Sequence, residues 1–154
     1  MKNIIVIASL FLIACSSVQT SENSNIAKLL QNKEFVFIAQ TAIPARSPSI
    51  AIGGGGYDLK MLNDSLSVLL PFYGRSTDIS AGRNGGPIEL KTKDFSYTVN
   101  KKKTRWEVYF VPTGQTPIRQ MSLSVSENGY ASLQVVSNNR DNMTFNGVVE
   151  ALTK

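Results

Sequence analysis

The chain has no histidine, a single cysteine, and no apolar run long enough to cross a membrane. Each absence excludes something. Without histidine, no side chain titrates near neutrality at its ordinary pKa, and the commonest transition-metal ligand is missing. Ser-His-Asp and Cys-His catalysis and histidine-based zinc sites are therefore excluded. A lone cysteine cannot form a disulfide within the chain. Catalysis would be left to carboxylate, lysine or tyrosine chemistry. The carboxylates Asp58, Asp64, Glu89, Asp94, Glu107 and Glu127 stand mostly at turns or on polar strand faces, and their spacing brings no two together as a glycosidase pair. The expectation is a protein that is not an enzyme and holds no cofactor or metal.

What is present begins with the cysteine. Met1-Lys2 is followed by an apolar stretch from Ile4 to Ala14, interrupted by Ser9. This is a secretory signal of residues 1–14, far short of a ~30 Å hydrocarbon layer. Leu12-Ile13-Ala14-Cys15 resembles the bacterial lipobox, in which the cysteine is lipidated, with chains such as palmitate, and becomes the first residue of the mature protein. Cys15 is thus the expected membrane anchor. Residues 15–24 are small, polar and aperiodic, a tether, and residues 25–150 form one domain, long enough for a core without staples. Ser16-Ser17-Val18-Gln19 lacks the acidic run that resembles a surface-export signal, which favours the periplasm-facing side of the outer membrane. The mature part is mildly basic, mostly through Lys101-Lys102-Lys103, and no aromatic residues are interleaved with the lysines as on a nucleic-acid surface. No nucleic-acid partner is expected, and the chain reads as a monomer.

Periodicity then organises the domain. Asn25 to Gln31 has apolar residues at 26, 29 and 30, predicting a helix of at most two turns with Ser24 as N-cap. From Phe35 the pattern is that of strands. Phe35 to Ile43 is β-rich and stops at Pro44, and residues 44–56 read as a loose connection ending in four glycines. Gly53 to Gly56 is a hinge rather than a phosphate loop, because the Tyr57 strand follows it where a phosphate cradle needs a helix. Asn63-Asp64 joins two alternating runs, and a two-residue turn pairs Leu62 with Ser65, Met61 with Leu66, Leu59 with Val68 and Tyr57 with Leu70. At Glu127-Asn128-Gly129 only a three-residue loop sorts the apolar residues onto one face. It pairs Val125 with Ala131, Leu123 with Leu133 and Met121 with Val135, and requires a left-handed Gly129. Phe95, Tyr97 and Val99 share a face with Trp106, Val108 and Phe110 across the lysine turn. Ile88 and Leu90 have the opposite parity from Phe95, which predicts a bulge or break near Lys91–Asp94. With the strand from Met143 to Val149, this is an all-β antiparallel meander of about eight strands, closing fully or partly into a barrel.

The runs "SENGYASLQVVSNNR" and "FNGVVE", with "KEFVFIAQTAIP" and "LLPFYGR" upstream, resemble the DUF4251 family (domain of unknown function) of Bacteroidales envelope lipoproteins over roughly residues 31–150. The resemblance implies a calycin-like or lipocalin-like barrel, or half-barrel, in the cell envelope, and implies no activity.

Candidate sites remain open at this level. Pro71 to Pro87 is the longest unpatterned stretch, and its Tyr73, Arg75, Asp78 and Arg83 could hold an anionic or hydroxylated ligand at a barrel mouth, or merely pair with one another. Tyr97 and Trp106, with Tyr57, Leu59, Met61, Phe95, Val108 and Phe110, would line an interior that encloses a lipid-like or peptide ligand, or else a solid core. Asp64-Ser65-Leu66 resembles the O-glycosylation acceptor of Bacteroidetes, which makes Ser65 a modification site or a coincidence.

Overall fold

The computed structural model describes residues 21–77 and 86–152. Cys15, the signal segment, Asp78 and Arg83 lie outside them. One helix, α1 (Ser21–Asn32), precedes ten strands: β1 (Glu34–Pro44), β2 (Ile50–Ala51), β3 (Asp58–Leu62), β4 (Ser65–Leu70), β5 (Ile88–Thr92), β6 (Phe95–Lys101), β7 (Arg105–Pro112), β8 (Ile118–Ser126), β9 (Tyr130–Ser137) and β10 (Met143–Glu150). The helix is a turn longer than its periodicity predicts, and begins inside the segment read as tether. Its polar first turn gives no apolar signal, while Ser21-Glu22 has the composition that suits a helix start. It ends where Lys33 turns left-handed, φ 56°, an αL cap on a residue other than glycine. A second correction concerns residues 44–56. This connection contains β2, whose Ile50 and Ala51 pair with Ala42 and Thr41 of β1, and two residues are too few to carry a period.

The sheet order is β5-β4-β3-β1-β10-β9-β8-β7-β6, with β2 beside β1, and every named pairing is antiparallel. The first and last long strands, β1 and β10, therefore pair, and the two ends of the order are β5 and β6. Those two are consecutive in the chain and run in the same direction. They form one long stave whose first part pairs with β4 and whose second part pairs with β7. Setting β2 aside and counting β5 and β6 together leaves eight staves. An even number is what a wholly antiparallel ring requires, and the stagger of the long stave is the shear that barrel closure demands. The join is at Lys93-Asp94, where the inward parity of Ile88, Leu90 and Thr92 changes to that of Phe95, Tyr97 and Val99. Asp94 N–H donates to Thr92 Oγ1 at 3.0 Å, and its carbonyl accepts from Thr113 N–H at 2.9 Å. The break expected from parity is where the chain passes from one side of the barrel wall to the other.

Both hairpin registers follow the alternation. Leu62, Met61 and Leu59 lie opposite Ser65, Leu66 and Val68; Tyr57 lies just outside that ladder, its carbonyl accepting from Ala39 N–H. Val125, Leu123 and Met121 lie opposite Ala131, Leu133 and Val135, with Gly129 at φ 84°. Alternate residues of each stave point inward and form a single apolar core that also takes in Ile26 and Leu30 of α1. The helix covers one end of the barrel. There Asn63 N–H donates to Lys33 O at 2.9 Å, and Val149 N–H donates to Gly129 O at 2.8 Å. The other end is a loop rim, in which residues 75–77 run beside 139–141: Asp141 N–H donates to Arg75 O and Thr77 N–H to Asn139 O.

Candidate functional site

The residues singled out from the sequence fall at separate places. Tyr73 and Arg75 are at the loop rim and are exposed. Arg75 meets Asp141 only through its backbone, N–H to Oδ2 at 3.1 Å, while the side chain that reaches the same carboxylate is that of Arg46, 3.5 Å from Nε to Oδ2. Arg140, which the sequence did not mark, organises the rim. Its Nη1 donates to the carbonyls of Gly86 and Pro87, both at 3.1 Å, and its guanidinium lies 5.3 Å from the Phe72 ring. Beside it is a cleft of about 70 Å³ between Ile88, Glu89, Pro117 and Ile118. There β5 is paired with β4 through Ile88 and Glu89, and among the described residues no strand pairs with its other side.

Tyr97 and Trp106 belong to the inner wall nearer the helix end, away from the rim. Tyr97 is half-buried, and its hydroxyl donates to Leu30 O at 2.7 Å; burial pushes its phenol well above the usual range. Lys33 Nζ stands 5.7 Å from its ring centre, and the ring meets Phe110 edge-on at 5.4 Å. Trp106 is buried beneath Lys101, 5.6 Å from the ring centre. Ser65 opens β4, half-buried, next to Asp64, which pairs with Lys33 at 3.1 Å. The rim residues Tyr73 and Arg75 and the inner-wall residues Tyr97 and Trp106 thus lie towards opposite ends of the barrel.

Among the described residues much of the interior is filled, though the inward-facing Leu90, Phe95, Tyr97 and Val99 of the long stave keep partial exposure. Phe35, Phe37, Leu59, Met61, Phe110, Met121 and Phe145 have no accessible surface, so none of them borders a void that would admit water. Of the face expected to line a cavity, only Tyr57, Phe95 and Tyr97 keep partial exposure. Among the described residues no polar or charged residue is buried as a whole, no group of three acidic or sulfur ligands converges, and no helix is long and apolar enough to span a membrane.

The outer wall carries one further polar constellation. Tyr109 donates to Glu107 Oε2 at 3.1 Å, and Arg105 Nη2 approaches Glu107 Oε1 at 3.4 Å. The hydrogen bond to Glu107, and then the carboxylate's charge, push the Tyr109 phenol up. Sequence reasoning weighed Glu107 only among scattered carboxylates and did not mark Arg105 or Tyr109. Alternation along β7 puts them side by side on one face, and the register sets Ser126, Ser124 and Ser122 of β8 beside them.

An antiparallel sheet of eight staves, nearly closed, with one end covered by a helix, defines the class: an all-β barrel. A crystal structure of a DUF4251 family protein from Bacteroides eggerthii DSM 20697 has the same fold. It is 16% identical, with 84% of this chain and 87% of that one aligned at a TM-score of 0.62. No curated protein matches. The family profile for the domain of unknown function DUF4251 matches residues 17–149, and the chain belongs to that family.

Proposed function

We propose that this protein is a lipid-anchored, non-catalytic envelope lipoprotein that acts as a monomer through its outer surface and holds no ligand inside the barrel. The filled interior carries this reading. A barrel of this size either packs its lumen with side chains or leaves room for one small ligand, and here the phenylalanines and leucines of opposing staves take the space. What is left for recognition is the outer wall and the loop rim. Helix α1 follows directly on the segment that would hold the anchor, so the helix end faces the membrane and the rim, with Tyr73, Arg75 and Arg140, points away from it. Ser65, at the helix end, would carry any O-linked sugar close to the bilayer.

Two measurements test this. Protein purified from its own envelope should release no stoichiometric apolar compound on organic extraction or native mass spectrometry; a retained lipid would overturn the filled-barrel reading. Cys15→Ala should leave the protein soluble in the periplasm, whereas wild type should partition into detergent. Equal partitioning of the two would overturn the anchor.

A further inference from the structure

The outward face of β7, β8, β9 and β10 has a hollowed, polar middle. Barrel exteriors are usually covered by long charged side chains. Here the middle outward positions of β8 to β10 are Ser122, Ser124, Ser132, Gln134, Thr144 and Asn146, and the charged Arg119 and Glu150 stand only towards the strand ends. The registers set them in rows across the strands: Tyr109 opposite Ser122, Ser122 opposite Gln134, and Gln134 opposite Thr144. Beside that row, Glu107 faces Ser124, Ser124 faces Ser132, and Ser132 faces Asn146. Small side chains between larger ones make a trough. Two adjoining hollows of about 370 and 430 Å³ share Arg105, Ser124 and Ser132. The β7 side is walled by the Arg105–Glu107–Tyr109 group. The helix-end side is walled by Tyr130, whose ring is 64% exposed although its backbone is fixed by Ser126 and Asn128. From β7 to Gln40 on β1 the trough crosses four strand spacings, about 19 Å.

We infer that this trough is a binding site for a neutral, linear oligosaccharide. The inference rests on the reading that the outer surface does the work. A protein partner would want an apolar centre depleted of polar groups, and the floor here is hydroxyl and amide. A nucleic acid would want a stripe of cations, and the floor carries none. A lipid would want an apolar channel, and the inward parity of the strands has put the apolar residues on the other face. A chain of sugars presents many hydroxyls that both donate and accept, alternating with flat C–H faces. Serine and threonine hydroxyls and the amides of Gln134 and Asn146 match the first, since each can donate and accept. The rings of Tyr130 and Tyr109 match the second, being flat and amphipathic, and the Tyr109 ring is held by Glu107. Glu107, already bonded to Tyr109 and Arg105, is oriented to accept from a sugar hydroxyl, and Arg105 beside it to donate to one.

The test is an amide-resolved NMR titration of the full chain in detergent with three hexaoses: β-linked glucose, α-linked glucose and N-acetylglucosamine. At least one should shift the amides of Ser124, Ser132 and Tyr130, and the preferred one identifies the sugar and linkage. Tyr130→Ala and Ser132→Arg should each weaken that binding about tenfold or more, with melting temperatures near wild type. Ser67→Arg, outward on β4 beyond the trough, should leave it unchanged. Silence at the trough from all three hexaoses, or undiminished binding to Ser132→Arg, would overturn the inference and leave the surface reading intact. A sugar that shifts only inward-facing residues such as Leu59 and Phe110 would overturn both.

Discussion

The hydroxyl of Tyr97 donates to the carbonyl of Leu30, tying the inner wall of the long stave to the last turn of the helix. That carbonyl is close to the helix C-terminus, where its other donor is Lys33 N–H at 3.4 Å. Tyr97→Phe removes the shorter of the two hydrogen bonds to that carbonyl. It should cost about 1 kcal/mol and speed hydrogen exchange in α1 while leaving the strands protected; uniform protection in the variant would count against the tie.

The same phenol makes stability depend on alkaline pH. Burial raises its pKa above the ordinary 10.0, so the folded state keeps its proton where the unfolded chain has lost it. Stability linked to this group is whole below pH 10 and falls as pH rises above it. Urea midpoints of wild type should therefore drop more steeply above about pH 10 than those of Tyr97→Phe. Parallel curves would mean that the phenol ionises freely in the fold.

Gly129→Ala should destabilise by about 1 kcal/mol or more, because φ is 84° there and an added Cβ would lie 3.2 Å from Val149 O. The measurement is the urea midpoint, and an unchanged value would contradict the bulged turn.

Gly147 is a different case. Its backbone is ordinary, but β1 carries a bulge between Ala39 and Thr41 that brings Ile38 O onto the place a Cβ would occupy. Gly147→Ala should part β10 from β1 and cost about 3 kcal/mol, read as a large fall in melting temperature.

Phe110→Ala tests the filled interior directly. Truncating a fully buried ring that meets both Phe95 and Tyr97 should cost about 3–5 kcal/mol and open a dry void. The variant, unlike wild type, should then take up a small apolar probe such as xenon. Equal uptake by both proteins would show a lumen already open.

Fold and site were unequally legible in the sequence. The two hairpins could be read because turn length and alternation have to agree, and each allowed one register. The parity change between Leu90 and Phe95 marked the break at Lys93-Asp94, though not that the break carries the chain from β4 to β7. That passage depends on stagger accumulated round the ring, which no local window contains. β2, the first turn of α1 and the role of Gly147 left no periodic signal. The candidate site was the least legible part. Tyr73 and Arg75 were chosen for lying in a long loop, yet it is Arg140 from another loop that bonds the return of that loop. The serines of the outer trough look like the polar half of any alternating strand until three registers set them in rows.

The pairing of β1 with β10 has a consequence for how the chain comes to be folded. The first strand acquires its long partner only when the last strand exists, so the contact that completes the wall joins opposite ends of the sequence. Such non-local closure is slow, because the loop entropy is spent before the contact forms. Until then β1, one of the most apolar segments of the domain, has an open edge able to add a strand from another chain. A partly synthesised copy is thus most exposed to aggregation through Phe35–Ile43, and only emergence of Met143–Glu150 ends that vulnerability.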